Sequence, residues 1–506
     1  MARVATATSS QLAAQAAGDI ARAGGNAVDC ALAAALVTMN TEPGVCALAG
    51  GAYVTVWPAD GEPVTIDGNV AVPGRDTGGS RHAVEPVVMD YGGGIETLAG
   101  AASIAVPGTL AALERASQRY GRMPWRTLLE PSIASARDGF PLSSACHYYL
   151  QYSGEVIFGR SADGYHALHD AGGRLRAAGA TVCVPHLADS LELVAAEGAR
   201  AFYEGELAAA IANHVQDAGG LLSRADLAAY RALDRRPLEV RLDGWRIATN
   251  PPPAVGGTVL AAMLGAFRDH PARRWDRAAV ARLVRVQRAV LGFRRERLDL
   301  AADPYAASDE LLALVAGNRL PGAWESASTV HTSAVDDAGN AAAITASAGY
   351  GSGEMPAGTG LWLNNCLGEL ELNRRGLDAG PPGARLPSNM TPGAARDGER
   401  VLAFGSPGAD RITTAIHQFL VNFLQQGRDL DAAIAAPRLH VEIDGREGRL
   451  AVEPGIDLPE LDLPVSRYTA INMYFGGVAA ASYAPGDGLA AAADPRRAGG
   501  VSIAGG

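Results

Sequence analysis

The dipeptide Ser328-Thr329 stands directly before a stretch that patterns as a β-hairpin, VHTSAVDDAGNAAAITASAGYGSG. Gly339 and Asn340 serve the turn of that hairpin, and nothing in a hairpin calls for the Ser-Thr pair. A threonine hydroxyl is a weak nucleophile until a base takes its proton. The chemical question is therefore whether Thr329 is a strand residue or a nucleophile. A second candidate is GSPGADRITTAIHQFL at 405–420, where a glycine turn opens directly onto a helical pattern. Backbone N–H groups at such a turn point outward at a positive helix end, suited to a phosphate or to the oxyanion of an acyl transfer. An ordinary helix start reads equally well there.

Other chemistries find little support. There is no G-x-S-x-G elbow, no phosphate-binding G-x-x-x-x-G-K-[ST] and no G-x-G-x-x-G between a strand and a helix. Cys30, Cys46, Cys146, Cys183 and Cys366 are dispersed and lack C-x-x-C spacing, which fits a reducing compartment and argues against zinc or a disulfide framework. His166 and His169 come nearest to metal-ligand spacing but have no carboxylate motif beside them, so neither metal nor cofactor is expected. A net charge of −11, from 43 basic and 54 acidic residues, argues against a nucleic-acid partner. The most apolar run, CALAAALVTM at 30–39, is too short to span a bilayer, and the N-terminus has no apolar signal core. The reading is a soluble, cytoplasmic protein acting on a small molecule.

The elements that must hold these residues are legible in outline. Helical patterns cover 9–23, starting near Ser9-Ser10, and 26–40, broken at Gly24-Gly25-Asn26. AYVTVW and VTIDG read as paired strands around the turn PADGEP. Residues 109–139 read as two helices split at YGRMPW, and 187–317 are mostly helical. The Arg-rich 273–299 reads as one amphipathic helix with a solvated face. After 329 strands are expected at 329–349, 361–365, 401–405 and 436–452, with a helix at 411–426. Strands from both halves suit a single α/β body, and the Gly-, Pro- and Arg-rich 373–389 reads as a mobile loop of the kind that forms lids.

Several pieces recur in a particular order: GGNAVDCALAAAL, GGAYVTVW, DGNVAVPG and YGGGIETLAGAASIAVPGTLAALE, then Thr329 with VHTSAVDDAGNAAAITAS. GLWLNNCLGELELN, RLPSNMTP, FGSPGADRITT, YFGGV and AAADPRR follow. This order resembles the gamma-glutamyltranspeptidase family of N-terminal-nucleophile hydrolases over nearly the whole chain. The resemblance implies an αββα four-layer sandwich made as a precursor and cut once between Ser328 and Thr329. The products are a large subunit, 1–328, and a small subunit, 329–506. It implies Thr329 as nucleophile, Ser347 orienting it, and Gly408 and Ala409 as the oxyanion pair. Ser388 and Asn389 fall on the pair that binds the substrate's α-carboxylate, and Glu369 falls on or next to the carboxylate that binds its α-amino group.

The departures cluster on substrate recognition. Asn69 stands where the family has an Arg that clamps the glutamyl carboxylate, and an amide offers neither charge nor a bidentate fork. Gly349 stands where the family has an Asn, and Gly368-Glu369 replaces an acidic pair. Arg75 or Arg411 is a candidate replacement cation, Arg411 also matching a structural position. The chemistry therefore reads as retained and the glutamyl grip as altered. Alternatives are a biosynthetic homologue that hydrolyses a non-glutamyl amide or an activated C–C bond, and an uncut, non-catalytic scaffold. Hydrolysis against transfer, and the oligomeric state, stay open at this level.

Overall fold

The 330–347 hairpin lies in the middle of a seven-stranded sheet. In order across that sheet run Gly500–Gly505, Arg3–Thr8, Val330–Asp336, Ala341–Ser347, Gly51–Trp57, Val64–Gly68 and Leu233–Arg235. This computed structural model describes residues 2–76, 83–90, 94–268, 270–317, 329–443, 448–497 and 499–506. A second sheet has the order Gly488–Ala493, Ala479–Ala484, Arg400–Gly405, Gly393–Asp397, Trp245–Thr249 and Leu238–Leu242. The two sheets face each other through small side chains, among them Ala5, Ala341, Ala343, Ala394, Ala403 and Ala481, with Trp57 filling the remaining width.

Helices Gln11–Arg22 and Ala27–Thr41 cover the outer face of the first sheet, and Val255–Arg268 and Arg411–Leu420 cover that of the second. The result is the αββα sandwich. Because both faces of the first sheet are covered, every residue of Val330–Asp336 and Ala341–Ser347 is buried. Such strands lose the polar alternation that would mark a solvent face. Helix Ala27–Thr41 is likewise buried all round. Its start is fixed by a reciprocal cap, Asn26 accepting from the Asp29 N–H and Asp29 accepting from the Asn26 N–H.

Several expectations need correction. The chain opens with a strand, Arg3–Thr8, paired to both Val330–Asp336 and Gly500–Gly505; its ValAlaThr pattern is β-favouring. Ser10 is the cap residue of the first helix, but its side chain makes no capping bond. No strand forms at 361–365; the backbone there makes one isolated bridge, Ala49 to Leu363. The Arg-rich helix is shorter than expected, Arg277–Phe293, and ends in a π-turn at Arg294–Leu298. The 411–426 helix passes into a π-turn at Val421–Gln425 in the same way. The 436–452 pair forms, as Leu439–Glu442 and Arg449–Val452 in a separate three-stranded sheet.

Candidate active site

Thr329 immediately precedes the central strand. The antiparallel register pairs Val330 with Ala346, so one step further along the ladder Thr329 meets Ser347. On its other side Ser347 pairs with Gly51. Gly50 permits this approach, since a Cβ there would lie 2.3 Å from the Ser347 carbonyl oxygen. Thr329 and Ser347 open into one small pocket shared with Asn69, Cys366, Glu369, Asn373, Ser388 and Asn389. Ser328, the expected partner in the cut, lies outside the described residues.

The substrate-side candidates converge on this pocket from distant segments. Asn69 follows the strand Val64–Gly68, and its side-chain Nδ2 donates to the Leu386 carbonyl at 2.8 Å. The Ser388 carbonyl accepts from the Val255 and Gly256 N–H groups at 2.9 and 3.1 Å, which fixes the loop against the second helical layer. Asn389 Nδ2 donates to the Ala409 carbonyl, joining that loop to the glycine turn. The turn places Gly408 at φ +120° and Ala409 at φ +60°. Helix Arg411–Leu420 follows at once, with the Arg411 N–H bonded to Gly408 O at 3.0 Å. Gly349 sits at φ +65°, and a Cβ there would lie 2.3 Å from Asn365 Oδ1. The close approach and the backbone both require glycine.

The replacement cations are engaged elsewhere. Arg411 donates to the Tyr474 carbonyl at 3.0 Å and lies over the Tyr474 ring, 4.5 Å from its centroid. Arg75 borders a different cavity and lies 4.0 Å from Asp226. Arg235 and Arg385 both pair with Asp67, two residues before Asn69, at 2.6 and 3.5 Å. Among the described residues no Lys or Arg lines the pocket of Thr329. Its one carboxyl, Glu369, is held well above the usual carboxylate range by burial and then by neighbouring Glu371. Burial and Glu369 together push the Cys366 thiol up.

Sequence reasoning passed over the residues that hold this arrangement. Asn364 bonds Ala105 N–H with its carbonyl, and Ala49 O and Ala105 O with its amide. Asn365 accepts from Tyr350 N–H at 2.7 Å and donates to Thr97 and Leu98. The Asn-Asn pair thus does with side chains what the expected strand would have done with backbone. Asp410, beside the glycine turn, pairs with buried Arg294, which also holds Asp299 at 3.0 Å. Two residues from Thr329, His331 is bonded to Thr345 at 2.8 Å and Ser333 at 2.7 Å, and burial lowers its pKa to about 3. It stays neutral. The 373–389 segment is irregular yet tied down, Arg375 donating to Leu300 O and Ala301 O and Leu386 N–H to Val70 O. Nothing in local sequence signals these partners; only the Asn-Asn doublet in a buried stretch hints at them.

A family model described as Gamma-glutamyltranspeptidase matches residues 13–504. The chain is 29% identical over 518 residues to a glutathione hydrolase proenzyme of Escherichia coli strain K12, covering 94% of this chain and 88% of the relative. It is 29% identical over 464 residues to the acylase ACY 1 proenzyme of Pseudomonas sp. strain V22, covering 86% and 82%. The crystal structure of a cephalosporin acylase from Bacillus halodurans superposes with a TM-score of 0.79 at 25% identity, over 99% of this chain and 96% of that one.

Proposed function

The chain belongs to the gamma-glutamyltranspeptidase family, a hydrolase and acyltransferase family, and on that premise we propose that Thr329 is its self-released nucleophile and that its acyl pocket no longer grips a γ-glutamyl group. The observation that supports this best is the pocket itself. A hydroxyl at the mouth of the central strand faces Ser347 across the ladder, and no cation lines the cavity among the described residues.

In the precursor, Thr329 Oγ attacks the Ser328 carbonyl carbon. The peptide C–N bond breaks, its nitrogen becomes the α-amine of Thr329, and the acyl group passes to Oγ as an ester. Water then adds to that carbonyl, which restores the hydroxyl and leaves Ser328 with a free carboxylate. The products are chains 1–328 and 329–506. The names of the relatives, both proenzymes, support such a cut.

The freed α-amine, with an ordinary pKa of roughly 8, takes the Oγ proton as Oγ attacks a substrate carbonyl. The oxyanion sits against the N–H groups of Gly408 and Ala409, at the positive end of helix Arg411–Leu420. Ala409 keeps the N–H that a glycine would offer. Collapse expels the leaving amine with the proton, and water or an acceptor amine removes the acyl group from Oγ. Ser347 orients the nucleophile. His331 has no part in this, being neutral and held by Thr345 and Ser333.

The experiment is intact mass under denaturing conditions for wild type and Thr329→Ala, followed by turnover of a γ-glutamyl anilide. Two chains meeting at 328/329 in wild type, one chain in the variant, and weak γ-glutamyl turnover are expected. A wild type that stays whole overturns the nucleophile assignment. Efficient γ-glutamyl turnover overturns the altered grip.

A further inference from the structure

Pro387 lies on the wall of two cavities. One is the Thr329 pocket, with about 20 Å³ of free space, room for a body the size of a water molecule. The other is a cleft of about 430 Å³, within the range of about 300–1,000 Å³ that small-molecule sites occupy. Stretches distant in sequence build it: the strand Leu233–Arg235, the turn before helix Val255–Arg268, the 298–305 corner and the loop that ends at Pro387.

The apolar surface of this cleft faces solvent. Leu233 and Tyr305, on its wall, are 43% and 49% exposed, and Leu300, in the 298–305 corner, is 46% exposed. Single exposed apolar side chains are ordinary, but several gathered on one concave surface mark a site. The Tyr305 hydroxyl accepts from Arg235 at 3.0 Å, which anchors the ring and leaves its surface open. Pro304, Pro381 and Pro387 add rigid apolar faces that lose no rotamer freedom when covered.

The polar groups of the wall are mostly guanidiniums. Arg235 and Arg385 share one carboxylate, Asp67, so two positive charges meet one negative. Arg375 donates through Nη2 to Leu300 O and Ala301 O, and carbonyls leave its charge uncompensated. Its Nη1 and Nε N–H groups bond no other described residue, and they form the fork that a carboxylate accepts from. Among the described residues the one carboxyl on the wall is Asp299, which is buried and turned to Arg294 at 3.0 Å. In a chain of net charge −11, this cleft is locally cationic.

We propose that the cleft binds a small aromatic carboxylate, its flat body against Tyr305 and the prolines and its charge at Arg375. A guanidinium beside an exposed aromatic face rewards a ligand that is planar, apolar and anionic at one end. A ligand seated there lies against Pro387, next to Ser388 of the Thr329 pocket. The site is independent of the assignment of Thr329, since it needs neither a cut chain nor turnover.

Calorimetry on the wild-type protein with 2-naphthoate, naphthalene-2-methanol and (2-naphthylmethyl)ammonium tests it. The acid is expected to bind at least about tenfold tighter than the other two, one charge-assisted contact's worth. Arg375→Ala erases that preference. Arg375→Lys, which keeps the charge, restores part of it and so separates charge from any change in the 300–301 backbone. Tyr305→Ala weakens the acid and the alcohol alike, with Tm unchanged because the ring is half-exposed. No binding of 2-naphthoate, equal binding of all three probes, or tighter binding of the ammonium overturns the proposal. So does 2-naphthoate binding that survives both Arg375→Ala and Tyr305→Ala, which would put the acid in another cavity.

Discussion

Thr329 and Ser347 stand opposite each other at the end of the central antiparallel ladder, one step beyond the Val330–Ala346 pair. Ser347 Oγ also accepts from the Gly349 N–H at 3.2 Å. The Asp336–Asn340 turn, with Asn340 bonded through backbone and amide to the Asp336 carboxylate, sets the register seven residues away. A slip of one residue would turn both hydroxyls to the other face of the sheet.

Removing the Thr329 hydroxyl is expected to abolish turnover, by on the order of a thousandfold or more, and to leave the chain uncut. Thr329→Ser keeps a hydroxyl and should still cut, more slowly. Denaturing mass and anilide turnover on both variants read this directly, and a cut Thr329→Ala chain would refute it.

Gly349→Asn places at this position the residue type that the family resemblance expects. It should not create a γ-glutamyl enzyme. Its Cβ meets Asn365 Oδ1, which holds the Tyr350 N–H at 2.7 Å, in a backbone conformation that strains any side chain by about 1–3 kcal/mol. A lower Tm and reduced turnover of every substrate are expected. Gain of γ-glutamyl activity at unchanged Tm would contradict this.

Asp410 and Arg294 form a buried pair one residue past the oxyanion candidate Ala409. Asp410→Asn leaves a buried guanidinium with Asp299 as its remaining acid partner. A loss of about 1.5–3 kcal/mol is expected, because a charge-assisted hydrogen bond to a buried guanidinium is lost while Asp299 still holds the charge. Urea denaturation measures it, and a variant as stable as wild type would show the pair to be dispensable.

Glu42 gives a pH test remote from the site. Burial pushes its carboxyl up to about 7, against hydrogen bonds from Cys146 and Ser143 that pull it down. The folded protein holds this proton more tightly than the unfolded chain, so the associated stability is full below about pH 4.5 and is lost as pH rises to about 7. Glu42→Gln cannot ionise. Its stability relative to wild type should climb by up to about 3 kcal/mol over that window, then level off. A difference independent of pH would place the Glu42 carboxyl at its ordinary value.

The elements of the α/β body were legible because their signals are local, while the αββα layering came from the family resemblance. The strand runs around 51–57 and 64–68, the helix break at Gly24-Gly25-Asn26 and the Gly339-Asn340 turn each read from a few neighbouring residues. The opening strand was not, because Arg3–Thr8 is a strand only by virtue of partners more than three hundred residues away. The missing strand at 361–365 fails for the converse reason. Asn364 and Asn365 satisfy the surrounding backbone with their side chains, so no ladder is needed.

By itself, the sequence determined that a threonine opens a hairpin, that a glycine turn opens a helix, and that the position of the expected clamping arginine is an asparagine. These are matters of residue identity and short-range pattern. Only the tertiary structure decided how the amides of the pocket are held. An amide has a donor end and an acceptor end, and which one faces the cavity depends on which carbonyl holds the other. For Asn389 that carbonyl is Ala409, for Asn373 Leu367 and Gly376, and for Asn69 Leu386. Those contacts exist only once distant segments have packed.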